Sequence, residues 1–329
     1  MKKKVITKKV VITKRGVTMK KIIIFILISL LACMFLLAGC KPKGQQPTVS
    51  IFRGGTEGVS AVFEPLGLKE EGVFTIYDTE KFPLEVVLKN KGEEVVPAGK
   101  VKLYLLGLPQ SDFEGIPQWI ITNKADIDKI SEFNPEGGEE VVSFTPSASG
   151  LAKYKQKVTG YVDLNWNVEY AYDYKTHLVM QDVCFKGDIT DPKVCQVKET
   201  KPFAVSGAPI TVTGVEQDTA GKGVVLLKIT VENKGKGDAA VSGQDFDPRF
   251  SQVAYTIDEP AKWECKSGGR ENQARLVAGP DGASAAQIHC RLKQPLKEEE
   301  LYVKTVGLTL QYAYKELAQE KLRVKESVK

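Results

Sequence analysis

Cysteine is the residue type whose spacing points most directly to chemistry in this chain of 329 residues. Two cysteines lie within the first 40 residues and four lie far downstream: Cys33, Cys40, Cys184, Cys195, Cys265 and Cys290. The downstream thiols could form disulfides, stay free in a core or ligate zinc, and zinc is disfavoured because no C-x-x-C pair occurs. The choice between bridged and free thiols depends on the compartment, which the N-terminal segment indicates.

The N-terminal segment has the layout of an export signal. Residues 22–37 carry no charge, Lys20 and Lys21 precede them, and the sequence Leu37-Ala38-Gly39-Cys40 ends the apolar run. This order of basic, apolar and small residues is typical of a secretory signal. The ending resembles the lipobox of bacterial-type lipoprotein signal peptides, which implies diacylglyceryl transfer to the Cys40 sulfur and cleavage before it. We therefore predict a signal peptide over residues 1–39 and a tether over residues 40–50.

Two further expectations follow from this segment. Residues 1–18 carry seven basic residues and no acid ahead of the signal, so Met19 is the expected true start. The apolar run is also just long enough for an uncleaved membrane-spanning helix, at a rise of about 1.5 Å per residue. Both alternatives attach the chain to the cell membrane and place residues 41 onward on its extracytoplasmic face, at the cell surface or in the periplasm.

Export has consequences for the state of the cysteines and for the net charge of the mature chain. In an exported chain we expect disulfides, pairing Cys184 with Cys195 and Cys265 with Cys290 as nearest neighbours. Residues 1–39 hold nine of the 46 basic residues and none of the 41 acidic ones, so the remaining chain has 37 basic residues and a net charge of −4. A basic footprint for nucleic acid is therefore absent.

The elements that carry the downstream cysteines are predicted to be strands, because period-two alternation dominates the chain after the signal. Two landmarks repeat along it. Asn90-Lys91-Gly92 returns as Asn233-Lys234-Gly235, an offset of 143, and the Tyr-Ala-Tyr beginning at Tyr170 returns at Tyr312, an offset of 142. Weaker landmarks at residues 111–113 and 135–137 return at 244–246 and 280–282 in the same order. We therefore expect two copies of one domain.

The fold class predicted from this pattern is all-β, with two tandem immunoglobulin-like β-sandwiches over residues 51–205 and 206–329 after the N-terminal signal or anchor helix. Only residues 123–133 and 315–322 have spacing that suggests helix. The alternation ending in Asn-x-Gly resembles the cell-adhesion-related (CARDB-like) surface domains of archaea and bacteria. That resemblance implies adhesion, spacer or ligand-display roles and transfers no catalytic residues.

Catalytic and metal chemistry find little support. No nucleophile-elbow, zinc-protease, Walker or dinucleotide motif occurs, and His177 and His289 are expected to be structural strand residues. The closest approach to a calcium site is a set of acid pairs without EF-hand spacing, which we interpret as loop acids: Asp126 with Asp128, Asp188 with Asp191, and Asp245 with Asp247. We expect no enzyme activity, no metal and no cofactor.

Aromatic side chains are the remaining candidates for recognition. Tyr170, Tyr172 and Tyr174 could form an exposed ladder, but their alternation with the strand's apolar residues favours a place in the core. Phe113, Trp119 and Trp263 lie in connecting segments, where binding residues are common, and we take them as a possible recognition loop for an unidentified protein or glycan. The function predicted is a non-enzymatic, membrane-anchored surface lipoprotein that acts in binding, adhesion or spacing. An accessory subunit of an envelope assembly or secretion machine, and a hydrolase with an unrecognised site, are the alternatives.

Overall fold

The computed structural model describes residues 51–146, 150–190, 194–279 and 282–327. These ranges are built from β-strands, with no α-helix and a single 3₁₀ turn at Gln110–Asp112. The strands of the first half are β1 (Val59–Phe63), β2 (Leu68–Glu70), β3 (Val73–Tyr77), β4 (Glu85–Asn90), β5 (Val101–Leu106), β6 (Phe113–Glu114), β7 (Ile120–Thr122), β8 (Glu139–Ser143), β9 (Lys153–Tyr154), β10 (Tyr161–Lys186), β11 (Glu199–Thr200) and β12 (Phe203–Val205). The strands of the second half are β13 (Ile210–Gly221), β14 (Val224–Asn233), β15 (Asp238–Ala240), β16 (Ser251–Ile257), β17 (Trp263–Ser267), β18 (Arg270–Glu271), β19 (Gln273–Ala278), β20 (Ser284–Leu292) and β21 (Leu301–Lys325). The prediction of an all-β fold is confirmed.

Two very long strands organise the molecule. β10 has 26 residues and β21 has 25, and they pair antiparallel from Tyr161 opposite Lys325 to Lys186 opposite Leu301. Burial along β10 alternates, because successive side chains of a strand point to opposite faces. Trp166, Tyr172 and other large side chains of one face are fully buried. The apolar residues that alternate along the sequence of β10 are thus the side chains that it contributes to the core.

The same strand pairs occur in both halves of the chain. β1, β4 and β8 form a three-stranded sheet in the first half, and β13, β14 and β20 are joined in the same order in the second. β5 pairs with β10, and β16 pairs with β21. The buried side chains of these strands form one hydrophobic core, which gives the fold its sandwich-like layering.

The pairing of the two long strands is symmetric about one residue pair, Asp173 opposite Ala313. Tyr172 lies opposite Tyr314 on one side of that pair, and Tyr174 lies opposite Tyr312 on the other. The described residues from 51 to 327 form one compact unit, since β10 and β21 place strands of both halves in one sheet. The boundary at residues 205 and 206, and the immunoglobulin-like class of each half, remain predictions.

The two predicted helices are wrong. Residues 123–133 form an irregular segment in which the Asn123 side chain bonds the backbone of Val101, Pro97 and Ala125, so it competes with a helical ladder. Ile127 forms an isolated bridge with Val96 and is fully buried. Residues 315–322 lie within β21, where pairing with β10 overrides their local preference. No helix in the described ranges has the length and apolar character needed to cross a membrane.

Both predicted disulfides are confirmed. Cys184 is bonded to Cys195 and Cys265 to Cys290, across 11 and 25 residues of chain. The second bridge joins directly opposed residues of β17 and β20. A disulfide stabilises chiefly by restricting the unfolded chain, so each bridge limits the freedom of the segment that it closes.

Candidate functional site

A buried tyrosine fixes the Asn-Lys-Gly turn in the first half. The Tyr174 hydroxyl donates to Asn90 Oδ1 at 3.0 Å and accepts the Glu94 N–H at 3.2 Å. Asn90 closes the turn by accepting the Gly92 N–H at 3.1 Å and donating to the Glu94 carbonyl at 2.6 Å. Burial raises the pKa of the Tyr174 hydroxyl, which therefore remains a donor at neutral pH.

The second half repeats this corner atom for atom. The Tyr314 hydroxyl donates to Asn233 Oδ1 at 3.0 Å and accepts the Gly237 N–H at 2.9 Å, while Asn233 donates to the Gly237 carbonyl at 2.7 Å. A Cβ on Gly235 would collide with the Tyr314 hydroxyl, which explains the glycine of the motif. Tyr174 is therefore equivalent to Tyr314.

This equivalence corrects the predicted alignment of the tyrosines. Tyr172 accepts the Val59 N–H at 3.1 Å, and Tyr312 accepts the Ile210 N–H at 3.4 Å, so Tyr172 matches Tyr312. The predicted match of Tyr170 with Tyr312 is two residues out of register, because Tyr-Ala-Tyr occurs at different positions of the two strands. The packing interpretation of Tyr170, Tyr172 and Tyr174 is confirmed, since all three are buried.

The entry of the chain into the fold is held by one carboxylate. Glu93, only 9% exposed, accepts the backbone N–H groups of Arg53 and Gly54 at 2.9 Å each and of Gly207 at 2.6 Å. It thereby ties the first described residues to the crossing that leads from β12 into β13. Glu93 is not among the residues predicted from the sequence. The repeat contains one indication of its special role, because the equivalent residue of the second copy has the opposite charge, Lys236.

The predicted recognition aromatics of the first half pack inward. Phe113 is buried in β6, and its ring centroid lies 4.8 Å from that of Trp166 and 5.5 Å from that of Tyr154. Trp119 is partly buried beside Phe113, with centroids 6.2 Å apart, and its carbonyl accepts the Leu105 N–H. These rings close one end of the core.

Trp263 forms part of the floor of a surface depression of about 400 Å³ in the second half. It is buried on β17, in edge contact with Phe185, whose ring stacks on Tyr302 at 4.8 Å. The rim carries paired charges, among them Lys304 with Glu259 at 2.8 Å. An aromatic floor with a charged rim could hold a flat, polar-edged ligand.

Beside Trp263, the acid of β17 is held by two bases. Hydrogen bonds from Lys266 and then Arg291 lower the pKa of Glu264 to about 2. The N–O distances are 2.5 Å to Lys266 and 2.7 Å to Arg291. This cross-strand group supports β17 on β20.

A second depression, of about 240 Å³, lies between β7 and β8 in the first half. Its lining includes Ile121 and the buried Val142 and Phe144, together with Pro117 and Gln118, which lie next to Trp119 in the sequence. Ile120 and Val141 are 58% and 52% exposed beside it. Sequence alternation cannot reveal this opening, since it depends on which strands meet.

The two histidines are placed as strand residues. His177 bonds Glu94 through Nε2 and Thr309 through Nδ1, at 3.3 Å each, and His289 contacts Gln287 on the surface. Partial burial alone would raise the pKa of Glu94, but the hydrogen bond from His177 and the charge of Lys175 lower it overall. The group is an ion-paired cluster on the face of β10.

Several members of the acid pairs have other roles in the fold. Asp126 accepts the Ala98 N–H, Asp247 is bound by Arg249, and Asp245 lines a groove, while Asp191 lies outside the described residues. Among the described residues no group of three or more His, Cys, Asp or Glu side chains is placed to hold a metal ion. Cys40, with the signal peptide, Met19 and the tether, also lies outside the described residues.

Comparison with known proteins adds little. No family model matches the chain, and no curated protein sequence matches it. Among solved structures, the secreted serine protease VesC from Vibrio cholerae aligns over 78% of this chain and 50% of its own, with 9% identity and a TM-score of 0.15. The chain thus spans half the length of that protein, and a score this low transfers neither fold nor activity.

Proposed function

We propose that this protein is a non-enzymatic lipoprotein, held by a lipid on Cys40 at the extracytoplasmic face of the cell membrane, whose two immunoglobulin-like β-sandwiches act as a binding, adhesion or spacer module. The observation that carries the proposal is the combination of the lipobox-like sequence Leu37-Ala38-Gly39-Cys40 with two disulfides farther along the chain. Disulfides persist in oxidising compartments, which an exported chain reaches.

The architecture supports the module part of the proposal. The Asn-Lys-Gly turn is held by a tyrosine hydroxyl in both halves, Tyr174 in the first and Tyr314 in the second, with the same hydrogen bonds. The two halves also share the long β10–β21 pairing. Such a pair of sandwiches is stiff, because neither half can rotate without breaking that ladder. Glu93 holds Arg53 and Gly54, near the start of the described residues.

Metabolic labelling with a radioactive fatty acid tests the anchor. The wild type and a Cys33→Ser control should incorporate label and stay with membranes, while Cys40→Ser should carry no label. Label on Cys40→Ser, or none on the wild type, would contradict the proposal. Membrane retention of an unlabelled wild type would support the uncleaved spanning helix instead.

A second candidate function, an accessory subunit of an envelope assembly or secretion machine, is favoured by one observation. β8 pairs with β4 on one side and with no described strand on the other, so its edge is available to a partner. Affinity capture from detergent-solubilised membranes distinguishes the two functions. One recurrent membrane complex supports the accessory subunit, and the absence of a stable partner supports the spacer.

A further inference from the structure

The two copies differ at one sheet edge. In the second half β17 pairs with the outer edge of β20, from Trp263 opposite Leu292 to Lys266 opposite His289, and β19 links β20 to β16. The second-half sandwich is therefore closed along this side by its own strands. Its Cys265–Cys290 bridge locks β17 in that position.

β8 is the first-half counterpart of β20. Val142 of β8 lies opposite Val86 of β4, as Ile288 of β20 lies opposite Ile229 of β14, and residues 86 and 229 are related by the repeat offset of 143. Residues 107–119 correspond to the segment that contains β17. They connect β5 to its partner β7, as the segment with β17 connects β16 to its partner β19. Residues 107–119 turn away from β8, because Phe113 and Glu114 form β6, which pairs with β9.

The outer edge of β8 consequently lacks a strand partner among the described residues. The Phe144 N–H donates to the Leu84 carbonyl and the Asn90 N–H donates to the Gly138 carbonyl, both at 2.9 Å. These two bonds show that the even-numbered residues of β8 direct their backbone N–H and C=O groups toward β4. In an antiparallel pair, every second residue directs its N–H and C=O away from the partner. For β8 the outward-directed residues include Val141 and Ser143.

The opening beside this edge is short and bounded. The Glu140 carboxylate closes one end by accepting the N–H groups of Lys124 at 2.7 Å and Ala125 at 3.2 Å. Pro146 lines the other end. About four residues of an extended chain, at roughly 3.3 Å each, fit between these limits.

We propose that the outer edge of β8 is a docking site for one extended segment of a partner protein, apolar at alternate positions, which occupies the place that β17 takes in the second half. The inference rests on the proposed binding role and not on the lipid. β17 itself defines the chemistry of the occupant: Trp263, Cys265 and Ser267 are buried, while Glu264 and Lys266 face outward. The apolar side chains of the segment lie against Ile120, which is 58% exposed, and Ile121, since Val142 and Phe144 are already buried.

The test uses the full-length protein in detergent and a synthetic peptide of residues 261–268 carrying Cys265→Val. Because the disulfide holds β17 in place, the peptide has the β8 edge as its site. Because residue 142 is equivalent to residue 288, Lys266 of the peptide lies opposite Ser143, as it lies opposite His289 in the second half. Hydrogen–deuterium exchange at Ser143 should therefore slow at least tenfold at saturating peptide. A control peptide methylated on the backbone nitrogens of Glu264 and Lys266 should give no protection, since those N–H groups would form the ladder.

A pair of protein variants provides the matched control. Ser143→Pro removes an outward N–H and leaves the N–H groups that bond β4 in place, so peptide affinity should fall at least tenfold, while Ser143→Ala, which keeps the N–H, should bind as the wild type does. The proposal is overturned if residues 139–146 gain no protection, or if the methylated peptide binds equally. It is also overturned if the protein alone protects these residues as it dimerises, because a second copy is then the occupant. Any of these results leaves fatty-acid labelling at Cys40 unaffected, so the anchor is judged separately.

Discussion

Replacing Glu93 should loosen the point at which the chain enters the fold. Its carboxylate accepts three backbone N–H groups, two on Oε2 and one on Oε1. A hydrogen bond to a charged group contributes about 1.5–3 kcal/mol. Glu93→Gln keeps one accepting oxygen for Gly54 and Gly207 but turns an NH₂ group toward the Arg53 N–H. One charge-assisted bond is lost and two become neutral, so we expect a loss of about 3 kcal/mol in the free energy of unfolding.

Urea unfolding at pH 7 measures this loss as a lower midpoint with an unchanged slope. Limited trypsin digestion localises it. The Arg53–Gly54 bond is a tryptic site whose two flanking N–H groups are both held by Glu93, so cleavage there should accelerate in the variant. Glu136→Gln is the matched control, since its side chain is 82% exposed and forms a surface ion pair with Lys89.

The reasoning on Glu93 is refuted by a specific result. If Glu93→Gln unfolds within about 0.5 kcal/mol of the wild type, the cost of an ordinary surface substitution, the carboxylate does not hold the junction. Equal trypsin cleavage rates in wild type and variant would lead to the same conclusion.

Three further predictions concern the repeated corner, the larger disulfide and acid stability. Tyr174→Phe and Tyr314→Phe should each lower the free energy of unfolding by about 1–2 kcal/mol, by similar amounts because the corners match, and unequal costs in urea would contradict their equivalence. Removing the Cys265–Cys290 bridge should cost about 3.5 kcal/mol and the shorter disulfide about 2.8, as loop closure predicts, so a reversed order in thermal unfolding would argue against that origin. Glu264 has a pKa of about 2 in the fold against a usual 4.5, so its stabilising effect is complete above pH 4.5 and is lost as pH falls toward 2. Glu264→Gln should therefore flatten the acid limb of the stability curve, and an unchanged limb would refute this.

The sequence predicts what depends on local alternation and on compartment. Alternation with period two predicts the face of β10 that carries Trp166 and Tyr172, and the expectation of export predicts both disulfide pairs. The Asn-Lys-Gly sequences at residues 90 and 233 align equivalent turns, because each turn needs a glycine next to the tyrosine hydroxyl.

Features that depend on contacts between residues far apart in the sequence cannot be predicted from local patterns. Residues 315–322 have helix-compatible spacing but lie in β21, since 24 paired positions with β10 outweigh local preference. Aligning the two Tyr-Ala-Tyr sequences gives a register shifted by two residues, because a short motif can recur at non-equivalent positions. The open edge of β8 had one available signal: Gly107, Pro109, Gly115 and Pro117 punctuate the segment that would otherwise form a strand like β17.

The central claim is that this is a lipid-anchored extracytoplasmic protein, and one measurement tests it most directly. Intact mass spectrometry of the membrane-purified protein should show a mature chain that begins at Cys40, with the added mass of a diacylglyceryl group and with four cysteines oxidised in two bridges. A chain that begins at Met1 or Met19, with Cys40 unmodified, would contradict the account.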